Sequence, residues 1–295
     1  MKKNILLFFP LINFSKNFKI GLIFLLSILL STETFASHAA GMDISYECIS
    51  QGSSSDTYKF TLKFYRDCAG VDAPGNGVNP LMNLNYSSSC GSGSDTLYQV
   101  GSAVDINSLC SSYCNGGNNF GIEQYTYEAT INLSHCSDWA FTVCESSRNT
   151  GINTIVNPGG DLCVEATINN TTYCNNSPTF TQYPTPFVCA GNLYCYNNGA
   201  IEIDGDSLVY SLITPLNSNT GGTVNFIAPY SSTNPVGGGS SFDPITGNLC
   251  ITPTSILSGV LAIKVKEYRN GVLIGSIIRD IQINVFNCGT IIPPT

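Results

Sequence analysis

Three carboxylates at alternate positions form the clearest candidate for chemistry in this sequence. They are Glu202, Asp204 and Asp206, and Gly205 between them permits a turn. Alternate side chains in an irregular turn can direct their oxygens at one point, and no lysine or arginine lies close to them along the chain. Carboxylate oxygens are the ligands that Ca²⁺ prefers in proteins. The segment therefore predicts a calcium site made of these three residues.

The same segment has a second interpretation without a metal. An EF-hand loop closes with a bidentate glutamate at its twelfth position, and the twelfth residue counted from Glu202 is Ile213. Short acidic side chains in tight turns also accept hydrogen bonds from neighbouring backbone N–H groups. The sequence leaves both possibilities open, a calcium site and a polar turn.

Catalytic constellations of other kinds are poorly represented. Nucleophilic triads need a histidine, and the chain has two, His38 and His135. The second is best interpreted as a turn residue between two strands. Glu123 could form a catalytic carboxylate pair with Glu128 or Asp138, but the odd spacing of the two glutamates places them on opposite faces of a strand. We therefore expect a protein that is not an enzyme.

The cysteines predict disulfides rather than a metal. All 13 follow residue 36, at positions 48, 68, 90, 110, 114, 136, 144, 163, 174, 189, 195, 250 and 288. Zinc sites need short paired spacings, and only Cys110 with Cys114 comes close to one. In an exported chain, cysteines pair as disulfides by default. Because the number of cysteines is odd, at least one thiol has no partner within this chain. The spacing of the cysteines does not determine which residues pair. A disulfide between Cys195 and Cys250 is one pairing that we consider.

Residues 1–36 have the pattern of a secretory signal peptide. Lysines at positions 2, 3, 16 and 19 precede an apolar run of eleven residues, Ile20–Leu30, and the small residues Thr34 and Ala36 mark a cleavage site before Ser37. Eleven residues are too few to cross a bilayer as a helix. We expect a chain without a membrane span after signal cleavage, secreted or held on the outer cell surface.

Composition and charge exclude one class of partner. The chain of 295 residues carries 12 basic and 20 acidic side chains, a net charge of −8, and Arg148 is the one basic residue between Asp67 and Ile263. Phosphate backbones require clustered cations, so nucleic-acid binding is excluded. The low share of charged residues, 11%, together with abundant Gly, Ser, Thr and Asn favours strands joined by turns.

Hydrophobic patterning predicts an all-β chain whose strands position the acidic turn. Phe60, Leu62 and Phe64 alternate with polar residues, as in a half-buried strand. Asn270-Gly271 predicts a tight hairpin. The stretch 69–119 is rich in Gly, Ser and Asn and is interpreted as long loops. Strands are predicted at 42–49, 57–66, 122–133, 139–143, 162–168, 208–213, 248–252, 260–269 and 272–285.

A polar segment with three prolines, residues 175–187, favours an extended linker or an edge and marks the predicted domain boundary. The predicted organisation is a signal peptide at 1–36, a disulfide-rich β-sandwich domain at 37–185, a second β-sandwich at 186–287 and a linker at 288–295. The proline-rich end leads us to expect that the sequence is cut from a longer chain.

Several motifs are shared with a known group of proteins. In the first predicted domain they are Ser37-His-Ala-Ala-Gly-Met-Asp-Ile-Ser-Tyr46, Tyr58-Lys-Phe-Thr-Leu-Lys-Phe-Tyr-Arg-Asp-Cys68, Cys114-Asn-Gly-Gly117, Gly121-Ile-Glu-Gln-Tyr-Thr-Tyr-Glu128, Arg148-Asn149 and Asn176-Ser-Pro178. In the second they are Asp204-Gly-Asp-Ser-Leu-Val-Tyr210, Phe242-Asp-Pro-Ile-Thr-Gly247 and Val265-Lys-Glu-Tyr-Arg-Asn-Gly271. Through these motifs the chain resembles the N-terminal region of large surface proteins of gliding Bacteroidota, followed by one of their cadherin-like, immunoglobulin-like modules.

The resemblance implies an adhesin-like or gliding-motility-associated protein that crosses the outer membrane by type IX secretion. Its partners would be a surface polysaccharide or other surface proteins. In such modules an Asp-x-Asp-Gly-Asp segment often lies near the interdomain seam, which adds to the prediction of calcium. The resemblance also implies further β-sandwich repeats after Thr295.

A carbohydrate-binding or accessory module of a secreted hydrolase is the alternative function. Trp139, the single tryptophan, could form a platform for sugars, but its strand places it on one face with Phe141 and Val143, which favours core packing. Exposed aromatic side chains beside carboxylates would support the alternative. Aromatic side chains buried in the core would support the adhesin.

Overall fold

The computed structural model of the protein describes residues 39–68, 70, 72–75, 81–106, 121–146, 148–184, 187–218 and 221–288. The predicted signal peptide at 1–36 and all but the first residue of the predicted linker at 288–295 lie outside these ranges. His38, Cys110 and Cys114 lie outside them as well. All of the described residues belong to one compact unit.

Strands account for 59% of the structure and the described part contains no helix, so the all-β prediction is confirmed. The first strands are β1 (Ala39–Gln51), β2 (Ser55–Asp67), β3 (Met82–Ser88), β4 (Gly91–Gln99), β5 (Val104–Asp105), β6 (Ile122–Ser134) and β7 (Trp139–Glu145). Shorter strands follow, namely β8 (Ile155–Val156), β9 (Leu162–Ile168), β10 (Thr179–Phe180), β11 (Phe187–Cys189), β12 (Tyr194–Asn197) and β13 (Ala200–Ile201). The last are β14 (Ser207–Ile213), β15 (Asn225–Phe226), β16 (Ser240–Phe242), β17 (Asn248–Ile251), β18 (Leu257–Arg269) and β19 (Val272–Phe286). Nowhere in the described ranges is there a helix long and apolar enough to cross a membrane.

The long strand β2 shows how the apolar alternation determines the fold. Tyr58, Phe60, Leu62 and Phe64 are fully buried, whereas the residues between them are half-buried. Successive side chains of a strand point to opposite faces, so an alternating sequence buries one face and leaves the other toward solvent. The strand predicted at 57–66 is therefore confirmed.

The strands of the main sheet form a closed circuit around one core, and the architecture is sandwich-like. Hydrogen-bonded neighbours follow one another in the order β1, β2, β6, β4, β3, β7, β9 and β19, and β19 pairs again with β1. These pairings are antiparallel. Every strand of the circuit contributes to one apolar core, whose members include Ile44, Phe60, Leu84, Leu97, Tyr127, Phe141, Val164 and Ile277.

β19 is the central strand of the molecule. One of its edges pairs with β18 along almost its whole length. Its other edge pairs in succession with β9 at residues 275–277, with β1 at residues 279–281 and, in parallel, with β11 at residues 284–286. Both of its faces are buried from residue 274 to residue 285, and this burial includes five polar or charged side chains, Ser276, Arg279, Asp280, Gln282 and Asn284.

The hairpin predicted at Asn270-Gly271 is confirmed. It joins the end of β18 to the start of β19. Asn270 has a φ of 52° and Gly271 a φ of 80°. Both central residues are thus left-handed, which is what a two-residue hairpin turn of this kind requires.

The sheet does not divide at the predicted domain boundary between residues 185 and 186. β1 and β9 precede this boundary, and both pair with β19, which follows it. Two buried ion pairs also cross it, Arg279 with Asp43 and Arg148 with Asp280. The two predicted domains therefore share one sheet and one core. The change in composition that suggested a boundary belongs to a segment on the edge of the sheet.

That segment begins along the free edge of β1. Ser177 N donates to Tyr46 O at 2.9 Å, and Tyr46 N donates to Ser177 Oγ at 2.8 Å. Cys48 N donates to Asn176 Oδ1 at 2.9 Å. Asn175 and Ser177 are buried. Residues 175–177 thus extend the sheet, which agrees with an edge rather than with a linker.

The stretch 69–119, predicted as long loops, contains the hairpin of β3 and β4. Met82, Leu84 and Tyr86 do alternate with polar residues in β3, but over seven residues only. β4 begins with Gly, Ser and Asp, which are poor strand formers. The pairing of Met82 with Leu97 through to Ser88 with Gly91 stabilises β4 in spite of its composition.

Five disulfides are described, and they include the pairing considered from the sequence. They join Cys48 to Cys174, Cys90 to Cys136, Cys144 to Cys163, Cys189 to Cys288 and Cys195 to Cys250. Cys68 is disulfide-bonded as well. The bridge of Cys195 with Cys250 is confirmed, and it links directly opposed residues of β12 and β17. Each of the five lies wholly before residue 185 or wholly after residue 186.

Candidate functional site

The acidic turn lies directly before β14 and is closed by its first carboxylate. Glu202 Oε1 accepts a hydrogen bond from Asp204 N at 2.7 Å, and Oε2 accepts one from Asp206 N at 2.6 Å. Gly205 has a φ of 87°, which glycine adopts without strain. The polar turn that formed the second interpretation of the sequence is therefore present.

Arg269 faces this turn from the end of β18. Its Nε and Nη2 donate to Asp206 Oδ1 and Oδ2 at 2.7 and 2.6 Å, a bidentate pair. Its Nη2 also lies 3.3 Å from Asp204 Oδ2. Since β14 pairs with β18 through Ser207 opposite Tyr268, Asp206 and Arg269 follow as the next opposed residues. The sequence suggested that no cation lies near the carboxylates. This is correct for neighbours along the chain, but in the folded structure Arg269 contacts two of the three.

Asn175 and Asn176 connect the turn to β1 and β18. Asn176 donates from its backbone N and from Nδ2 to the two oxygens of Asp204 at 2.8 and 2.9 Å. Asn175 donates from Nδ2 to Glu267 Oε1 and accepts at Oδ1 from Arg269 Nη2 at 2.8 Å. The segment on the edge of β1 is thereby bonded to both sides of the acidic cluster.

Glu267 is a fully buried acid in this network. Its Oε1 accepts from Asn175, while Oε2 has no hydrogen-bond partner among the described residues. Burial raises the pKa of Glu267 to about 8; the hydrogen bond from Asn175 opposes the rise, and the charge of Asp206 adds to it. The carboxyl group is therefore held in a place where its charged form is poorly stabilised by the protein.

Oxygens of Glu202, Asp206 and Glu267 lie within 4.8 Å of one another. Asp204, the third ligand predicted from the sequence, is not in this group, and its oxygens take the bonds from Asn176 described above. The structure therefore brings together two of the three predicted residues and adds a buried glutamate.

Glu267 and Arg269 also belong to the site, but their sequence pattern alone does not predict this. They occupy alternate positions of β18, so they lie on one face of the strand. That face meets the acidic turn only through the pairing of β14 with β18, and Asp206 and Arg269 are 63 positions apart. A prediction would need this long-range pairing first.

The other candidates for chemistry are engaged in structural contacts. His135 Nε2 lies 3.2 Å from Oδ1 of Asp56, which is fully buried. Cys90 and Cys136 lie beside Asp138, but their sulfurs form a disulfide and are not free to bind a metal as thiolates.

The two glutamates considered as a catalytic pair have separate partners. Glu123 accepts from Arg66 Nη1 at 3.0 Å and from Tyr125 Oη at 3.1 Å. Glu128 lies 4.0 Å from Lys59 Nζ. In the pairing of β2 with β6, these two glutamates stand opposite residues 66 and 61, at separate points of the strand.

The aromatic side chains of β7 lie in the core, as predicted. Trp139 is 4% exposed, and Phe141 and Val143 are fully buried. The rings of Phe141 and Phe60 have centroids 4.3 Å apart, across the interior from β7 to β2. Trp139 donates from Nε1 to Ser134 O at 3.0 Å, so its polar atom is satisfied without solvent.

A groove of about 210 Å³ adjoins Arg269 on the outer surface. Its lining includes Asn169, Thr171, Tyr173, Arg269 and Asn270. The guanidinium carbon of Arg269 lies 4.6 Å from the centroid of the Tyr173 ring, which is 41% exposed. The groove combines one aromatic face with hydroxyl, amide and guanidinium groups.

Comparisons of the chain with protein-family models, with curated proteins and with solved structures find no match.

Proposed function

We propose that the protein is an exported, non-enzymatic cell-surface protein that acts by binding, in the manner of an adhesin or a gliding-motility-associated protein. The observation that carries the proposal is the burial of its aromatic side chains. Tyr58, Phe60, Tyr127 and Phe141 are fully buried in one core. Such side chains stabilise a rigid scaffold, whereas a dedicated sugar-binding platform would expose them.

The disulfides support an oxidising environment for the folded chain. Five bridges within the described ranges are consistent with an extracellular protein, since cytosolic proteins seldom keep such bonds. Three of them, Cys48 to Cys174, Cys144 to Cys163 and Cys195 to Cys250, hold neighbouring chain segments of the sheets together. Bracing of this kind suits a protein that has to keep its shape outside the cell.

Connecting segments carry the most exposed apolar side chains. Leu193 and Ile203 are each 70% exposed, Ile245 is 78% exposed and Ile256 is 64% exposed, and all four lie outside the strands. Loops on a rigid scaffold are the usual carriers of recognition. We therefore assign contact with a surface protein or a polysaccharide to these loops.

Surface exposure and attachment test the proposal. In intact source cells, a membrane-impermeant biotin reagent should label the protein, and deletion of its gene should reduce attachment to surfaces or gliding. Beads coated with the oxidised protein should attach to these cells. Failure of labelling, or unchanged attachment and gliding in the deletion strain, would overturn the proposal.

Variants of the loops refine the same experiment. Leu193→Asp and Ile245→Asp should reduce bead attachment without lowering Tm, because both side chains are exposed and unpacked. Val156→Asp, at a 50% exposed position on β8, serves as the matched control and should attach like the unmodified protein. Equal attachment by all of the variants would place the binding surface elsewhere.

The groove beside Arg269 favours a second candidate, a carbohydrate-binding module. An aromatic face next to amide and hydroxyl groups is the composition that recognises sugar rings. A glycan array with the oxidised protein should then give signals that Tyr173→Ala abolishes. Tyr98→Ala is the control, because Tyr98 is 59% exposed and belongs to β4, away from the groove. An array without signal would contradict this candidate and leave the first one standing.

A further inference from the structure

We propose that Glu202, Asp206 and Glu267 together bind a divalent cation of the calcium type. The set differs from the one predicted from the sequence, because the buried Glu267 of β18 replaces Asp204. The site is argued from the cluster itself and does not depend on the proposed function. Oxygens of the three residues lie within 4.8 Å of one another, and two oxygens bound to one Ca²⁺ are at most about 5 Å apart.

The unpartnered oxygen of Glu267 is the observation that points to a ligand. The residue is 0% exposed, and its Oε2 has no hydrogen-bond partner among the described residues. A buried carboxylate oxygen without a partner is strongly unfavourable, and natural structures satisfy such atoms with a protein donor, a water or an ion. A cation between the three carboxylates supplies the missing partner.

The bonds already present in the cluster leave room for coordination. Each oxygen of Glu202 accepts one backbone N–H, and each oxygen of Asp206 accepts one N–H of Arg269. A carboxylate oxygen has two lone pairs, so each of these atoms keeps one for a metal. Asp204 and Asp206 share the one guanidinium of Arg269, and Glu202 adds a further carboxylate beside Asp206, so the excess of negative charge favours a cation.

The donor set selects the class of metal. All three ligands are carboxylates, with no imidazole or thiolate among them. Hard oxygen ligands suit Ca²⁺ or Mg²⁺ rather than zinc or copper. Ca²⁺ tolerates irregular geometry and bond lengths of about 2.3–2.6 Å, whereas Mg²⁺ needs a near-ideal octahedron, so a cluster drawn from a turn and a strand favours calcium.

Binding would join elements that are far apart along the chain. Glu202 and Asp206 belong to the turn before β14, and Glu267 belongs to β18. Asn175 adds the segment on the edge of β1, because it donates to Glu267. The ion therefore fixes the start of β14 against the central sheet and should stabilise the folded state.

Thermal unfolding and calorimetry of the oxidised mature chain test the site. Calcium at about 5 mM, above the range of dissociation constants typical of extracellular modules, should raise Tm by roughly 3 °C relative to the chelator-treated protein. Titration calorimetry should show saturable binding. Glu267→Gln, which keeps the shape of the side chain, should abolish both effects, as should Glu202→Gln.

Two further variants separate this site from the alternatives. Asp204→Asn should keep the calcium-induced rise in Tm, because Asp204 lies outside the converging group. Asp243→Asn is the matched control, since Asp243 caps an exposed turn by accepting from Ile245 N and Thr246 Oγ1 without other acids around it. It should respond to calcium like the unmodified protein.

Three outcomes would overturn the proposal. They are a Tm of the unmodified protein that calcium does not change, a rise that persists in Glu267→Gln, and a rise that Asp204→Asn abolishes. Circular dichroism verifies that each variant folds. If Glu267→Gln did not fold, the response of Glu202→Gln to calcium would test the site instead. Glu202 lies in the turn on the surface, so its substitution leaves the core unchanged.

Discussion

Two arginines lie in the interior, each against one aspartate of the central sheet. Arg148 donates from Nη1 and Nη2 to the two oxygens of Asp280 at 2.8 and 2.7 Å. Arg279 donates from Nε and Nη2 to Asp43 Oδ2 at 3.0 and 2.7 Å. All four side chains are buried. A charge removed from water requires a counter-charge and hydrogen bonds, so neither partner of a pair can be removed alone without cost.

Asp280→Asn should lower the free energy of unfolding by about 3–5 kcal/mol, because it leaves Arg148 charged, buried and unpaired. Chemical denaturation measures the loss. Glu165→Gln is the control: it breaks the pair of Glu165 with Lys264, which joins partly exposed side chains at 3.2 Å. That change should cost less than about 1 kcal/mol. Similar losses in the two variants would contradict the role of burial.

Glu145, at the end of β7, should make stability depend on pH. Burial raises the pKa of Glu145 to about 7, and the charge of Asp161 adds to the rise. Because the folded chain holds this proton more tightly than the unfolded chain, the free energy of unfolding falls as pH rises from about 4.5 to about 7, and this contribution is constant above that range.

Glu145→Gln should therefore be more stable than the unmodified protein at pH 8, by roughly 1–3 kcal/mol, and the difference should vanish near pH 4. Denaturation of both proteins across this range measures the difference and cancels the groups that they share. Parallel curves for Glu145→Gln would refute the assignment.

At the scale of elements, most of the long strands could be predicted, whereas β3, β4 and the pairing partners could not. The alternation around Phe60 follows from burial of one face of β2, so this pattern is local and can be found in the sequence. The pairing of β1 with β19 joins the two ends of the chain and leaves no local signal. For the same reason, the composition near residue 185 suggested a domain boundary, whereas the structure has one sheet on both sides of it.

The candidate site shows the same division. The turn with Glu202 and Asp206 could be identified from its spacing alone. Glu267 and Arg269 reach it only because β18 pairs with β14. The sequence therefore predicted an isolated acidic turn, whereas the structure has a turn joined to a buried acid and neutralised in part by an arginine.

Gly41→Ala should weaken the junction of β1 with β19. A Cβ at this position would lie 2.6 Å from Asp280 O and 3.2 Å from Ile281 Cα, both backbone atoms, so the strands would have to separate. Overpacking of this kind costs about 1–3 kcal/mol. Hydrogen exchange should increase along the junction while the pairing of β3 with β4 keeps its protection.

Gly151→Ala is the matched control for that substitution. Its nearest neighbour would be the Asn149 side chain at 3.4 Å, an ordinary contact at an exposed position. It should leave both Tm and the exchange pattern unchanged. If Gly41→Ala also left Tm unchanged, β1 and β19 could separate at this point without a loss of stability, and the prediction would be wrong.

At the scale of the whole molecule, the fold interleaves the two halves of the chain. β19 supplies the partner for β1 and for β9, so residues before the predicted boundary cannot complete their sheet without residues after it. None of the five described disulfides joins the two halves. Among the described residues, strand pairing, core packing and buried ion pairs hold the halves together.

Two separate polypeptides, residues 37–184 and residues 187–288, should each fail to unfold cooperatively when studied alone. Mixed or co-expressed under oxidising conditions, they should associate and regain a cooperative transition, because the shared sheet then closes. Calorimetry and size-exclusion chromatography measure both properties. Cooperative unfolding of the first polypeptide by itself would show instead that it is an independent domain.

The position of β19 also bears on how the chain matures during synthesis. A nascent chain emerges with its N-terminus first, and Asp43 has to wait for Arg279, 236 positions later, before it gains its counter-charge. Until then, the open edges of β1 and β9 are templates for pairing with other chains. Completion of the fold is thus a late event that requires β19, the last described strand.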